Sequence, residues 1–256
     1  MPETSDTVLI TGASRGLGRA AALTFAKAGA APVLCGRSEE ELSAVAREIK
    51  DLDGQCLYYS VDVQDFENLD KIAASAADIL GPATVLVNNA AVIGPPEFLD
   101  NDTSPDWSET LDINLKGPVN STKAVLPYMM EQGKGTVINL VSGLAWMSFP
   151  RFSAYCASKA GLYQLTRCLA EEYRDSNLVF YAVDPGIMDT PMQSGIRSLG
   201  KNKLGPLWQQ FQNMKASGQL MDPFQVADLL LALAINRPRE KNGNPVAMRD
   251  LGAIKP

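Results

Sequence analysis

The sequence predicts an α/β fold in which one parallel sheet is doubly wound, with helices on both faces. Short apolar segments rich in Val, Ile and Leu alternate with longer segments of helical character along nearly the whole 256 residues. This alternation is the pattern of strand–helix–strand units. A glycine-rich turn joins the first strand to the first helix. No linker, charge block or repeat divides the chain, so we expect residues 1–256 to form a single domain.

The composition excludes several classes of protein. A net charge of -6 argues against nucleic acid as a partner, because phosphate backbones attract basic surfaces. The chain has no histidine, which rules out Ser–His–Asp and Cys–His catalysis and every His-ligated metal site. The cysteines lack metal-ligand spacing, so we predict no metal and expect reduced thiols in a cytoplasmic protein. They are Cys35, Cys56, Cys156 and Cys168.

We expect no association with a membrane. No apolar run approaches the roughly 20 residues that a membrane-spanning helix needs. Residues 1–6 are polar and lack the basic-then-apolar pattern of a secretory signal. With 46% hydrophobic residues, the chain can instead bury a sizeable core.

The first unit of the chain predicts a phosphate site. Thr7–Thr11 is an apolar segment with the character of a buried parallel strand. Glycines at positions 12, 16 and 18 follow it, and residues 19–28 have helical character before Gly29. Glycines permit a tight turn and close backbone approach, and a helix N-terminus directs N–H groups at an anion. Strand, glycine turn and helix together predict a Rossmann-type unit.

Further strands and helices follow in alternation. Strands are predicted at residues 32–36, 55–61, 84–88, 136–141, 178–183 and 245–248. Helices are predicted at 38–51, 66–80, 106–130, 222–236 and over a segment that contains Tyr155 and runs to 174. Ser38 is the predicted N-cap of the second helix, with Glu41 completing a capping box. Ligands of such sheets bind beyond the carboxyl ends of the strands, where we find residues 12–18, Arg37, Asp62, Asn89, Ser142 and Pro185.

Tyr155 and Lys159 lie four residues apart, which places a phenol and an ammonium on one face of a helix. A free phenol has a pKa of about 10, and a neighbouring positive charge favours the phenolate. We therefore expect Lys159 to lower the pKa of Tyr155 and to make it an acid/base suited to carbonyl chemistry. A solvated helix face with no function is the alternative for this pair taken alone.

The stretch after the sixth predicted strand is less regular. Apolar residues recur at helical spacing within it, namely Leu204, Leu207, Trp208, Phe211 and Met214. Two interpretations remain open: a stripe that faces the core, or a lid over a ligand formed by residues 187–220.

These pieces, in this order, resemble the short-chain dehydrogenase/reductase family in its compact one-domain form. The resemblance covers residues 7–190. It rests on Thr-Gly-Ala-Ser-Arg-Gly-Leu-Gly at 11–18, Asp-Val at 62–63, Asn-Asn-Ala-Ala at 88–91, Asn114, Ser142, Tyr155 with Lys159, and Pro185-Gly186 with Thr190. Ala91 stands where the family often has glycine, and residues 249–252 match the family's ending only loosely.

The resemblance implies a catalytic set of four residues. Tyr155 would give a proton to the substrate oxygen in reduction, or accept one in oxidation. Ser142 would hydrogen-bond that oxygen, Lys159 would lower the phenol pKa and hold the nicotinamide ribose, and Asn114 would hold a water that links Lys159 to solvent. Simpler roles stay open: Asn114 as a surface residue and Ser142 as a helix cap.

The resemblance also implies a set of cofactor contacts. The glycine turn would hold the adenosine ribose and pyrophosphate, and the next segments would hold the adenine, the adenosine side and the carboxamide. The implied residues are Gly12, Ser14, Arg15, Gly16, Leu17, Gly18, Asp62, Val63, Asn89, Ala90, Pro185, Gly186, Ile187 and Thr190, together with Tyr155 and Lys159. The alternative for Asp62 is a turn residue at a strand end.

The end of the second strand predicts NADP(H) as the cofactor. Relatives that bind NAD place a carboxylate there, about 20 residues beyond the glycine turn, on the ribose 2′-hydroxyl. Here Arg37 occupies the position, and its guanidinium can bind a 2′-phosphate through paired charge-assisted hydrogen bonds. Arg15 and Ser38 can join it. The alternative is that Arg37 is a solvated residue and either cofactor binds.

The predicted activity is an NADP(H)-dependent carbonyl reductase acting on a small carbonyl or alcohol substrate. Alternatives are an alcohol dehydrogenase, a 3-oxoacyl-thioester reductase, and a non-catalytic redox sensor. Residues 143–150, Met188, Met192, Trp208 and Phe211 predict a hydrophobic substrate, aromatic or cyclic, although Arg151 and Arg197 leave an anionic group open. Small and apolar residues on several faces of the Tyr155 helix predict a homo-oligomer, a tetramer in preference to a dimer.

Overall fold

Seven strands form one sheet in the order β3-β2-β1-β4-β5-β6-β7, and every described pairing is parallel. The structure, a computed structural model, describes residues 6–101, 105–218 and 220–254. The strands are β1 (Thr7–Thr11), β2 (Ala31–Gly36), β3 (Leu57–Ser60), β4 (Ala83–Asn88), β5 (Gly135–Leu140), β6 (Leu178–Asp184) and β7 (Pro245–Ala247). The predicted doubly wound α/β fold is confirmed.

Helices cover both faces of this sheet. They are α1 (Gly16–Lys27), α2 (Glu39–Lys50), α3 (Phe66–Leu80), α4 (Asp106–Leu111), α5 (Gly117–Glu131), α6 (Ser153–Glu172), α7 (Pro191–Ser198), α8 (Gly200–Leu204), α9 (Pro206–Ala216), α10 (Pro223–Asn236) and α11 (Leu251–Ile254). α1, α2 and α10 pack on one face, and α3 and α5 on the other. Val8 and Ile10 belong to the first core and Leu9 to the second, so both faces of β1 are buried, as parallel strands require.

The predicted strand boundaries lie within two residues of the observed ones. The first helix differs more. It begins at Gly16, three residues before the predicted start, because its N-cap is Arg15, whose backbone is extended. Ser38 is the N-cap of α2, as predicted, and its Oγ accepts a hydrogen bond from the N–H of Glu41 at 3.3 Å.

The long helix predicted at 106–130 is interrupted. A π-helical segment, Asp112–Lys116, joins α4 to α5 and has Asn114 at its centre. The sequence contains the cause, since Pro118 has no N–H to give the carbonyl of Asn114 the bond that an α-helix would form there. Such π segments are common at functional sites because they turn one side chain out of the helical repeat.

A chain of buried polar side chains crosses the centre of the sheet. Asn88 of β4 and Asn139 of β5 are register partners, and Asn88 Nδ2 donates to Asn139 Oδ1 at 2.8 Å. Asn139 donates in turn to Thr166 of α6, and Ser121 of α5 donates to Asn88. All four side chains are buried, and these bonds provide partners for polar groups that would otherwise be costly to bury.

Two kinds of feature are missing from the described ranges of the chain. None of its helices combines the length and the apolar character needed to cross a lipid bilayer. Within the same ranges, no group of three or more Cys, Asp or Glu side chains is arranged to hold a metal ion.

Candidate active site

A cavity of about 710 Å³ lies beyond the carboxyl ends of the central strands. It runs from the glycine turn and the start of α2 to the helix α7. Most of the predicted site residues line it: Gly12, Ser14, Arg15, Gly16, Leu17, Arg37, Ser38, Asp62, Val63, Asn89, Ala90, Tyr155, Lys159, Pro185 and Thr190. We call the part near α1 and α2 the cofactor end and the part near α7 the substrate end.

The glycine turn has the geometry of a phosphate cradle. Gly12 and Gly16 have positive φ angles of 64° and 55°, which L side chains rarely adopt. Gly18 does not line the cavity but packs behind the turn, where an added Cβ would lie 2.1 Å from the carbonyl oxygen of Gly12. The turn can therefore bring its backbone close to a ligand while α1 directs its N–H groups at an anion.

Asn89 fixes this turn to the end of β4. Its Nδ2 donates to the carbonyl oxygens of Thr11 and Gly12, both at 3.0 Å. The hydroxyl of Thr11 in turn accepts from the N–H groups of Asn89 and Ala90 at 3.0 and 3.1 Å. Four bonds thus join the ends of two neighbouring strands, so the polar groups of the cofactor end are held before any ligand arrives.

Two guanidinium groups and one carboxylate line the cofactor end beside the end of β2. Arg37, at the end of β2, is exposed and lines the cavity with Ser38 and Arg15. Glu41 lines it as well, with its Oε1 4.0 Å from Nη1 of Arg15. Glu41 was predicted as part of a capping box, and its place on the cavity wall was not predicted.

These features fit a nicotinamide dinucleotide. The glycine cradle and the α1 N-terminus suit a pyrophosphate, and the basic donors beside Ser38 suit a phosphorylated ribose. Asp62 and Val63 line the same end, where the resemblance places the adenine. Asp62 also makes a local turn, because its Oδ1 accepts from the N–H of Gln64 at 2.9 Å.

Tyr155 stands on the cavity wall at the start of α6, between the two ends. The structure contradicts the expected direction of its pKa. Burial raises the pKa of the phenol to about 12, a hydrogen bond with Ser142 lowers it, and the charge of Asp184 adds to the rise. Burial therefore prevails over the stabilisation of a phenolate, and the phenol is protonated at neutral pH.

Lys159 lies one turn further along α6, with its side chain almost fully buried. Its Nζ donates to the carbonyl oxygen of Leu140 at 2.7 Å and lies 5.6 Å from the centroid of the Tyr155 ring. Burial lowers the pKa of this ammonium to about 8. The ammonium is thus hydrogen-bonded to the end of β5. This explains why it does not overcome the rise that burial causes in the phenol pKa.

Asn114 and Ser142 lie behind the wall and do not line the cavity. Asn114 is fully buried, so it is not a surface residue. Its side chain accepts from the N–H of Val92 and donates to the carbonyl oxygen of Val92, both at 2.8 Å, and also donates to Ser158 at 3.1 Å. It thereby ties the segment after β4 to α6. Ser142 caps a 3₁₀ turn, accepting from the N–H of Leu144 at 3.2 Å, besides its bond with Tyr155.

Two further predicted residues are displaced from the cavity. Gly186 has a positive φ of 70°, and its N–H donates to Asp184. The Ile187 side chain is partly exposed, and its carbonyl oxygen accepts from the N–H of Met221 at 2.9 Å. Both therefore shape the turn after β6, while Pro185 and Thr190 on either side reach the cavity.

The substrate end is lined mainly by apolar side chains. They come from the segment after β4, from the turn after β6 and from α7, and comprise Ile93, Pro96, Met188, Met192, Ile196 and Leu199. The two methionines were expected in the pocket. The other four were not predicted, because they lie on loops and short helices whose positions do not follow from where the strands end.

The aromatic residues expected in the pocket lie behind this wall. Phe211 of α9 packs against Phe149 and Phe152 with ring centroids 6.2 and 6.5 Å apart. Trp146 packs edge-on against Tyr163 on the outside of α6. None of these side chains lines the cavity in the described part of the chain, and their contact with a substrate stays a prediction.

The apolar stripe of α8 and α9 thus faces a core of its own. Leu204 and Phe211 are buried, and Leu207, Trp208 and Met214 pack around them in one cluster. Ile93, Ile196 and Tyr155 belong to the same cluster and also line the cavity. The stripe is a core-facing one, and its core supports the wall of the substrate end from behind.

Comparisons with known proteins agree with this architecture. The family model described as short chain dehydrogenase matches residues 6–199. The 3-oxoacyl-[acyl-carrier-protein] reductase FabG of Thermotoga maritima is 35% identical over 184 residues, covering 72% of this chain and 74% of that protein. The oxidoreductase UcpA of Salmonella typhimurium is 35% identical over 233 residues, covering 90% and 88%.

Among solved structures, an actinorhodin polyketide ketoreductase with NADPH superposes with a TM-score of 0.88. Its sequence identity is 26%, and the match covers 96% of this chain and 97% of that one. The family match spans the glycine turn, the strands β1 to β6, and the part of α6 that contains Tyr155 and Lys159. The chain therefore belongs to the short-chain dehydrogenase/reductase family of oxidoreductases.

Proposed function

We propose that the protein is an NADP(H)-dependent reductase of hydrophobic ketones or aldehydes. One observation carries the proposal: a protonated phenol stands between a basic, phosphate-binding end and an apolar end of a single cavity. A hydride donor placed at the first end and a carbonyl compound placed at the second would meet beside Tyr155. The bound dinucleotide supplies the hydride, and the protein supplies position and the proton.

The residues around the phenol perform the remaining steps. Tyr155 would give its hydroxyl proton to the substrate oxygen as a bound dinucleotide supplied hydride to the carbonyl carbon, so that an alcohol and a tyrosinate would result. Ser142, which is hydrogen-bonded to the phenol, stabilises the substrate oxygen as negative charge develops on it. The buried Lys159 ammonium, one helical turn away, offsets the charge left on the phenolate.

The protonated phenol is the form of Tyr155 that carbonyl reduction uses. With a pKa of about 12, Tyr155 holds its proton throughout the neutral range and is a general acid as it stands. An alcohol dehydrogenase would need the phenolate as its base. The oxidative reaction is the second candidate, and a depressed phenol pKa in the complex with oxidised cofactor would favour it.

The preference for NADP(H) rests on Arg37 and Arg15. Both line the cofactor end, and Arg37 stands at the end of β2, where an acid would serve NAD. The ketoreductase similar in structure was solved with NADPH. A 3-oxoacyl thioester remains among the substrates to test, since the Thermotoga relative is named for that activity.

The test is a spectroscopic assay of the purified protein. The absorbance of NADPH, and separately of NADH, is followed with a panel of aromatic and cyclic ketones, aldehydes, quinones, 3-oxoacyl thioesters and small sugars. We expect turnover of apolar carbonyl compounds with NADPH. Activity confined to hydrophilic sugars would contradict the substrate class, and equal kcat/KM with both cofactors would contradict the cofactor preference.

We also propose a homo-oligomer, with a tetramer as the favoured state. Its support is the outer surface of α6, where Ala157 and Cys168 are exposed and Trp146 is half-exposed beside Tyr163. Light scattering at micromolar concentration should give a mass of two or four chains. A mass of 27.5 kDa would refute the proposal.

A further inference from the structure

At the cofactor end, one carboxylate lies beside the two arginines. Arg15 from the glycine turn, Arg37 from the end of β2 and Glu41 from the first turn of α2 all line the cavity. Glu41 lies 4.0 Å from Arg15, measured from Oε1 to Nη1. This distance is too long for a hydrogen bond, so the acid restrains the guanidinium by charge and leaves its donors available.

A second pair on the same two helices shows a different arrangement. Arg19 of α1 and Glu48 of α2 form a two-pronged pair, in which Arg19 Nε donates to Glu48 Oε1 at 2.9 Å and Nη2 donates to Oε2. This pair lies outside the cavity lining. Glu48 is therefore occupied in fastening α1 to α2. Among the residues that the structure describes, the Glu41 carboxylate has the 4.0 Å contact with Arg15 as its one ion pair, and it faces the site.

The carboxylate of Glu41 has opposing effects on folding and on binding. An acid in the first turn of α2 interacts favourably with the helix N-terminus, where the N–H of Glu41 also bonds Ser38. Toward a ligand the same charge is unfavourable. It repels a phosphate placed between Arg15 and Arg37, and it attracts one of the two groups that would bind that phosphate.

We propose that Glu41 is a specificity-determining residue that weakens the recognition of a ribose 2′-phosphate. In this role it sets how strongly the protein prefers NADP(H) to NAD(H), rather than which of them it prefers. The inference deepens the proposed function and rests on the placement of the 2′-phosphate between Arg15 and Arg37. It predicts that removing the charge of Glu41, with its shape kept, sharpens the preference.

The experiment uses two nucleotides that differ only in the presence of a 2′-phosphate. Calorimetric titration gives the affinities of adenosine 2′,5′-bisphosphate and adenosine 5′-monophosphate for the wild type and for Glu41→Gln. We expect the variant to bind the bisphosphate about three- to tenfold more tightly, as one removed charge near a solvated phosphate allows. The monophosphate affinity should stay within about twofold, and the gain should shrink at about 0.5 M salt.

Two matched variants serve as controls. Glu40→Gln removes the same charge from the same helical turn at an exposed position outside the cavity lining. Glu48→Gln removes a guanidinium partner from the same helix pair, also outside the lining. We expect both controls to bind the two nucleotides as the wild type does. A gain in either control equal to that of Glu41→Gln would reduce the effect to net charge and overturn the inference.

The remaining outcomes separate this inference from the proposed function. Equal binding of both nucleotides by the wild type would contradict the NADP(H) preference. Even then, a gain for the bisphosphate in Glu41→Gln would support the role of Glu41. An unchanged bisphosphate affinity would overturn that role, whichever nucleotide the wild type prefers. A loss of monophosphate affinity in Glu41→Gln would also overturn that role, because it would show that Glu41 is a ligand of the ribose hydroxyl.

Discussion

The cofactor end and the substrate end of the cavity are built from different parts of the fold. The cofactor end consists of strand ends and the first turns of α1 and α2, cross-linked by the bonds of Thr11 and Asn89. The substrate end consists of a loop after β4 and the short helix α7, resting on the cluster around Phe211. The first end is part of the sheet, whereas the second has a small core of its own.

This difference separates the residues that determine cofactor specificity from those that determine substrate specificity. Cofactor binding depends on backbone geometry that the sheet enforces, so few substitutions there are neutral. Substrate binding depends on apolar side chains of a peripheral segment, so these can vary without disturbing the sheet. Tyr155 connects the two ends, because it lines the cavity between them and also packs in the cluster around Phe211.

Substitution of Tyr155 should have the largest effect. We expect Tyr155→Phe to fold, to bind NADPH, and to lose a factor of about 10² to 10⁴ in kcat, because only the proton donor is removed. The measurement is turnover on a substrate found in the panel, with NADPH binding followed by fluorescence. Wild-type turnover in the variant would show that the two ends do not meet at this phenol.

Arg37→Asp should change the cofactor end alone. A lost charge-assisted contact is worth about 1.5 to 3 kcal/mol, so kcat/KM for NADPH should fall about 10- to 100-fold and the preference should reverse towards NADH. The KM of the carbonyl substrate should not move. A variant in which both KM values rise together would contradict the separation of the two ends.

The buried Lys159 lowers the stability of the folded protein by an amount that depends on pH. Its folded pKa of about 8 lies below the 10.5 of a solvated lysine, so the folded state opposes its protonation. The loss of stability below pH 8 is about 3 kcal/mol. As pH rises from 8 to 10.5 the unfolded state binds more protons, and the wild type gains stability. Relative to Lys159→Met, we expect the wild type to gain about 2 to 3 kcal/mol between pH 7 and 10.5.

Chemical denaturation of both proteins at the two pH values measures this difference. The methionine keeps the aliphatic stem and removes the titrating group, although it also leaves the carbonyl oxygen of Leu140 without its donor. That loss is the same at both pH values and cancels. Parallel stability curves for the two proteins would show that Lys159 is solvated rather than buried.

Ile196→Ala should give the smallest effect and should act on the substrate end alone. Removing buried apolar atoms from a pocket wall costs an apolar substrate about 1 to 3 kcal/mol of binding. We expect KM to rise for large ketones and to change little for small aldehydes, with NADPH affinity unaltered. A matched change at the surface, Ile79→Ala, should alter neither, since Ile79 is well exposed and outside the lining.

The sequence predicted the two ends to different extents. The glycine turn, Asn89 and Arg37 could be placed because parallel strands end at one edge of the sheet, which a linear pattern reveals. Ile93 and Ile196 could not, because their place depends on how separate loops pack. The direction of the Tyr155 pKa was missed for a similar reason: spacing predicts proximity to Lys159, but only the fold shows that burial prevails.

The Asn88–Asn139 pair has a consequence for folding fidelity. Slipping β5 by one residue against β4 would move Asn139 to the opposite face. The buried Asn88 would then lose Asn139 as an acceptor, and the buried Thr166 would lose it as a donor. Misregistered pairings are thus penalised far more than apolar strands alone would penalise them. The correct register also sets the distance between the ends of β4 and β5, so an error during folding that would misplace Ser142 is rejected in the interior of the sheet.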